Sequence, residues 1–242
     1  MDQGLQLSEE VTRSLLREIR YGQYSQLKKL PPEVELAGQL GVSRTLLRDC
    51  LAILEREGFI SRKHGVGTVI NKHVLEVETR MDLEKEFMDM VADAGYVSEI
   101  ASVEVEQAPA SPQVAEKLKL EAGEPVFLVS RLITADRMPA IYCVDHIGLR
   151  HLKTDDYDLD ELKKPIFYFL EKYCGETVYM DLTEVRAVAA DEQMAKVFQT
   201  SAGTPLLFMD EVGYNFGGEP VLMSKEYYMD GILKHTVLRK KI

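Results

Sequence analysis

Apolar positions in the first seventy residues recur at helical spacing, in blocks separated by glycine and proline. In "SEEVTRSLLREIRYG", Val11, Leu15, Leu16 and Ile19 line one helical face. Ser8 is suited to an N-cap, Glu9 and Glu10 sit in the first turn, and Gly22 is a stop. After the "KKLPP" turn, "EVELAGQLG" predicts a short second helix closed by Gly41. Ser43 then caps a third helix running to about Glu57, with Leu47, Leu51 and Leu54 as its apolar stripe. Beyond Gly58 the period changes. "FISRKHGVGTVIN" reads as two short strands, 59–62 and 68–71, joined by a tip of Lys63, His64 and Gly65. Three compact helices and a two-stranded hairpin predict a winged helix-turn-helix.

That arrangement gives the polar positions a use. Arg44 and Thr45 fall at the exposed start of the third helix, where a major-groove reader keeps its base contacts, and Arg48 neutralises phosphate. Lys63 and His64 at the wing tip reach the backbone or minor groove, while Gly65 and Gly67 allow a positive φ and close approach. The chain of 242 residues carries a net charge of −11, which by itself disfavours nucleic acid. The charge is uneven, however. Residues 1–72 hold 11 Lys and Arg against 9 Asp and Glu, a balance of +2, and the remaining −13 lies beyond them. Since charge acts within a Debye length of about 10 Å, a mildly basic head can work in front of an acidic body.

The C-terminal part repeats itself. "VEVEQAPASPQVAEKLKLEAGEPVFLVSRLITADRMPAIYCVDHI" aligns with "TEVRAVAADEQMAKVFQTSAGTPLLFMDEVGYNFGGEPVLMSKEYY" at an offset of 80, so that Glu104, Ala110, Gly123 and Pro125 recur as Glu184, Ala190, Gly203 and Pro205. Each unit reads as strand, short helix and β-hairpin. The helices are capped at Ser111 and Asp191, and the hairpins turn at Asp136-Arg137 and Gly217-Gly218. A further helix is predicted in "PIFYFLEKYCG", a last strand in "ILKHTVLRK", and a connector helix over 82–94. The prediction is an α+β domain of antiparallel sheet with packed helices and a ligand cleft between the related halves. The domains are expected at 1–71 and 85–242, with a linker at 72–84.

Two resemblances follow. "LPPEVELAGQLGVSRTLLRDCLAILEREGFISRKHGVGTVIN" resembles the DNA-binding domain of the GntR family of bacterial transcription regulators. The likeness implies DNA roles for Ser43, Arg44, Thr45 and Arg48 on the recognition helix, and for His64, Gly65 and Gly67 on the wing. Val34 replaces the family's arginine in E-R-E-L. Leu46 replaces a frequent threonine, where it either touches a thymine methyl or packs. "GEPVFLVSRLITADRMPAIY" and "GTPLLFMDEVGYNFGGEPVLMS" resemble the UTRA ligand-sensing domain, of chorismate-lyase-like fold, found in the HutC subfamily. That resemblance implies a repressor whose homodimer binds double-stranded operator DNA under control of a small effector, with Arg131 as an effector contact. At other matched pocket positions this chain has Ile133 for an arginine, Cys143 for a glutamate, and Glu86, Phe87 and Met88 where sugar-phosphate sensors use Ser or Thr. These replacements predict a non-phosphorylated effector with an apolar body, such as a small organic acid. Glu211, equivalent to Arg131 in the repeat, either faces it across the cleft or forms a structural ion pair, and Tyr142, Asp145 and Tyr214 are neighbours that read either as ligand contacts or as sheet-face or interface residues.

Other classes fare worse. His64, His73, His146, His151 and His235 are scattered without metal-ligand spacing, and neither a complete dinucleotide fingerprint, a Walker lysine nor a G-x-S-x-G elbow occurs. No cofactor, metal or catalysis is therefore expected. An architectural DNA-binding factor is the alternative, favoured if the C-terminal domain has no cleft. Cys50, Cys143 and Cys174 are read as reduced, buried thiols. No apolar run approaches the roughly 18 residues needed to span a bilayer, and the first residues lack an export pattern, so the expected location is cytoplasmic.

Overall fold

The computed structural model of the chain describes residues 2–77, 79–154 and 156–240. The chain divides into two compact units after Val77 and again after Thr236. Residues 237–240 thus belong with the first unit, not with the domain in which the sequence reading placed them.

The first unit contains α1 (Asp2–Arg20), α2 (Glu33–Leu40), α3 (Arg44–Arg56), β1 (Ile60–Lys63), β2 (Gly67–Ile70) and a single turn, α4 (Lys72–Leu75), inside the expected linker. Ser8 lies within α1 and caps nothing, because the helix begins six residues earlier. α2 stops at Gly41 in the left-handed conformation (φ 66°), whose N–H returns to the carbonyls of Ala37 and Gly38. Leu15, Leu47, Leu51 and Leu54 are at most 1% exposed and fill the space between α1 and α3. Each contributes about 1.5–3 kcal/mol relative to exposure. The C-terminal segment closes the unit. Lys240 Nζ donates to the carbonyl oxygens of Glu55 (2.6 Å) and Arg56 (2.8 Å), adding a cationic donor at the end of α3, where the N–H of Gly58 already reaches Glu55.

The second unit contains β3 (Thr79–Arg80), α5 (Phe87–Asp93), β4 (Ser98–Pro109), α6 (Pro112–Lys117), β5 (Pro125–Ala135), β6 (Met138–Gly148), α7 (Ile166–Phe169), β7 (Met180–Ala189), α8 (Glu192–Val197), β8 (Pro205–Tyr214), β9 (Pro220–Met229) and β10 (His235–Thr236). α7 continues as one π turn to Cys174. The antiparallel sheet runs β4-β5-β6-β9-β8-β7, so the two repeats join at β6 and β9 as mirror-ordered halves.

The offset of 80 reaches the backbone. Ser111 Oγ accepts from Val114 N–H and Asp191 Oδ1 from Met194 N–H, while Lys119 and Gln199 both turn left-handed (φ 50° and 51°) after their helices. Both hairpins form where predicted, the first through left-handed Asp136 and Arg137. Two expectations shrink: the connector helix covers only 87–93, and the last strand is the pair His235 and Thr236, which lies parallel to Thr79 and Arg80 outside the large sheet.

The sheet separates two layers. α6 and α8 pack on one face through Val114, Ala115, Met194 and Phe198. On the other face lie Met90 and Val91 of α5 and Ile166, Phe169 and Leu170 of the α7 segment. All three cysteines are buried thiols.

Candidate functional site

At the start of α3, Ser43 Oγ accepts the N–H of Leu46 at 3.1 Å, which leaves the hydroxyl proton free to donate outward. The first turn carries no acidic side chain, so the helix dipole presents positive charge there. Arg44, Thr45 and Arg48 are exposed, and Leu46 is half-buried. Arg48 is engaged, its Nε 2.7 Å from Glu33 Oε2, so a phosphate contact must compete with that ion pair.

The wing tip, Lys63 to Gly67, is wholly exposed, with Gly65 and Gly67 at φ 75° and 93°. A side chain at either glycine would meet no neighbour within 4 Å, so their role is conformational. Sequence reasoning missed two supports of this hairpin. Glu55 of α3 accepts from both the backbone N–H (2.7 Å) and Nε (2.8 Å) of Arg62, and Lys29 donates to the Val66 carbonyl at 3.0 Å while bridging to Val69. Burial would raise the Glu55 carboxyl, but the two Arg62 bonds and the charges of Arg62 and Lys240 hold it below the usual range. Neither support has a local sequence signal.

In the second unit, cross-strand register builds two rows on the α5 and α7 face. One runs Arg131–Cys143–Glu226–Met209 from β5 to β8, and its neighbour runs Val129–Asp145–Ser224–Glu211–Thr183 from β5 to β7. Residues directly opposite one another share a face, so all these side chains converge. Of these, Arg131, Asp145, Glu211, Ser224 and Glu226 floor a small cavity with room for about 20 Å³, roughly one water, walled by Glu84, Glu86, Phe87, Ile166 and Phe167. A second hollow of about 290 Å³ shares Glu86, Phe87 and Arg131 with the first and adds Met88, Ile100, Ile133 and Tyr168.

Of the sequence candidates, Arg131, Phe87, Ile133 and Glu211 line these spaces, and Cys143 lies fully buried in the row beneath them. Tyr142 does not take part. Neighbouring strand positions alternate faces, and Tyr142 packs against Tyr227 on the α8 side. Tyr214 is also away from the cavity, opposite Met180 at the end of β8.

Arg131 and Glu211 have separate partners. Arg131 Nη2 donates to Asp145 Oδ2 at 2.7 Å and Nη1 to the Lys164 carbonyl at 3.2 Å, while Thr183 Oγ1 donates to Glu211. Ser224 Oγ completes Asp145 at 2.6 Å. Burial pushes Glu211 and Glu86 up to about 7 and Glu84 up to about 8, although Glu84 keeps solvent contact. The charge of Asp181 adds to the rise at Glu211 and that of Asp89 to the rise at Glu86, where Arg131 opposes it, while Glu211, Asp181 and Glu86 all raise Glu84. Burial likewise raises Glu226, with Glu211 adding, against a bond from Tyr228. These carboxyls were partly hidden from sequence reading because Glu84 and Glu226 belong to no motif.

A winged helix-turn-helix joined to a pseudo-symmetric sheet that floors a charged cavity defines a DNA-binding regulator with a small-molecule sensor. Residues 7–70 match the family model of bacterial regulatory proteins, gntR family, and residues 93–230 match that of the UTRA domain. The chain belongs to the GntR family of transcription regulators, in its UTRA-bearing branch, and is not an enzyme.

It is 25% identical over 231 residues to the probable fructoselysine utilization operon transcriptional repressor of Escherichia coli K12, covering 96% of this chain and 93% of that protein. Over 214 residues it is 24% identical to the HTH-type transcriptional regulator YurK of Bacillus subtilis, covering 86% and 84%. Among solved structures, YydK of Bacillus subtilis shares the fold with a TM-score of 0.75 at 20% identity, over 99% of this chain and 100% of that one. No helix among the described residues is long and apolar enough to cross a membrane.

Proposed function

We propose that the chain works in the cytoplasm as a homodimeric repressor, reading a palindromic operator with α3 and the wing and releasing or holding it according to a non-phosphorylated effector in the β5–β8 cavity. The observation that carries this reading is the cavity itself: a folded sheet domain whose two repeats converge charged side chains on one partly open pocket has the form of a sensor. An architectural factor has no use for it. Carboxyl groups around the cavity repel a phosphate where they are ionised, and the lining arginine is already paired with Asp145, which supports the non-phosphorylated assignment. Dimerisation is supported by geometry, since one winged helix makes few base contacts and two half-sites supply specificity. The edge strand β7 also leaves Met180 and Leu182 exposed, at 56% and 69%, a face that a second copy can cover.

The test is a mobility-shift series on DNA selected by the whole protein. Arg44→Ala lowers specific affinity by about 1–3 kcal/mol and relaxes base preference, whereas Lys63→Ala weakens all sequences alike. If both variants keep wild-type affinity, the docking face is wrong.

A further inference from the structure

The cavity gathers more carboxyl groups than its own cations can answer. Arg131 is engaged by Asp145, and Lys85 is paired with Asp93. Glu84 and Glu86 from the segment before α5, Glu211 of β8 and Glu226 of β9 form no ion pair among the described residues. Asp181 of β7 approaches from the side: one of its oxygens lies within 4.8 Å of oxygens of Glu84 and Glu211, and its Oδ1 is buried without a hydrogen-bond partner. Gathering uncompensated carboxyls around one pocket is costly in the empty protein, and a bound cation relieves that cost.

A second, independent observation concerns Arg131. The residue is 4% exposed and lines both spaces, yet its Nε has no hydrogen-bond partner. The neighbouring Cys143 thiol, pushed up by burial, stays neutral and is a weak acceptor. The site therefore asks for an acceptor oxygen beside the cation. The larger hollow supplies space for an organic body against Met88, Ile100 and Ile133, and the lysines at its rim, Lys163 and Lys164, are already paired with Asp160 and Glu161.

We infer that the effector is an organic cation, its ammonium seated among Glu84, Glu86, Glu211 and Glu226, a hydroxyl or carbonyl oxygen on Arg131 Nε, and its body in the larger hollow. This deepens the reading of the cavity as the effector site and rests on it. The charge is opposite to that of the organic acid suggested by Arg131 in the sequence, because Asp145 has taken that arginine. A bare divalent cation would use Glu84, Asp181 and Glu211 and leave the hollow empty.

Binding requires the carboxyls to be ionised. The remaining charges facing them are Lys85, Arg131 and Asp145 at the cavity and Asp89 of α5 beside it, and no histidine lines either space. With Glu86 and Glu211 near 7 and Glu84 near 8, affinity for an ammonium compound rises with pH and binding releases protons.

Calorimetric titration of the full chain with glucosamine and 1,4-diaminobutane, against glucose, glucose 6-phosphate, succinate and manganese chloride, tests this. The expected result is binding of an ammonium probe, at least tenfold tighter at pH 8.5 than at pH 6, with no comparable binding of the neutral or anionic probes. Glu211→Gln and the more exposed Glu84→Gln each weaken it tenfold or more, with circular dichroism showing that the variants are folded.

Tighter binding of succinate or glucose 6-phosphate overturns the inference. So does manganese binding without any ammonium binding, or the lack of ammonium binding at millimolar concentration and pH 8.5. Operator binding by the wild-type chain without any probe reads the regulator assignment separately, so its failure is not confused with failure of the cation.

Discussion

Asp145→Asn isolates what Arg131 does. Both side chains are buried, at 4% and 1% exposure for the residues, and they meet at 2.7 Å. Neutralising Asp145 leaves a guanidinium in the interior with only neutral acceptors, the new amide oxygen and the Lys164 carbonyl, and breaking a buried pair from one side costs about 3–5 kcal/mol. Replacing both partners by apolar residues of similar volume, Arg131→Met with Asp145→Leu, removes the stranded charge. That double variant should lose less than about 2 kcal/mol, whereas each of its singles, Arg131→Met and Asp145→Leu, strands one charge at about 3–5 kcal/mol, so the coupling between the sites is at least about 4 kcal/mol. Urea unfolding followed by tyrosine fluorescence reports on the relevant unit, since the chain has no tryptophan and nine of its 11 tyrosines lie between residues 78 and 236. Two results refute the reasoning. One is a cost under about 1 kcal/mol for Asp145→Asn, and the other is single and double effects that simply add.

Other outcomes follow from the same geometry. Raised carboxyls bind more protons in the folded than in the unfolded state, so their stabilising contribution is complete below about pH 4.5 and is lost as pH rises through 7 to 8; without ligand, the second unit melts at lower temperature at pH 8.5 than at pH 5.5, which calorimetry can check. Ser43→Ala removes the α3 cap and lowers stability of the first unit by about 0.5–2 kcal/mol in denaturant titration. Gly58→Ala sets a Cβ 2.3 Å from Leu238 Cδ2 at φ 83°, and should destabilise that unit by more than about 1 kcal/mol, with Leu238→Ala recovering part of the loss.

Much of this was legible because the information is local or repeated. The helices of the first unit announce themselves by period, glycine stops and the Ser43 cap, and the wing by its glycines. The offset of 80 predicted not only two halves but the equivalence of Arg131 and Glu211, which the sheet realises on one face. What escaped was set by register across the seam. Nothing in the strands says that Cys143 faces Glu226 or that Asp145 faces Ser224, since β6 and β9 are separated by some eighty residues and pair only after folding. One residue of register decides the outcome, which is why Tyr142 was misjudged while its neighbour Cys143 lies in the row beneath the cavity. Glu84, at the end of the expected linker, lies beside Asp181 and Glu211, both remote in sequence, so no local signal marks it.

The return of residues 237–240 to the first unit makes the DNA reader a discontinuous module. During synthesis, α3 emerges long before Lys240 exists to add its charge at the helix end, so the reader gains its last contacts only after the sensor's strands have been made. A fragment cut after residue 77 likewise lacks the Lys240 contacts, so the DNA reader is best produced with the whole chain.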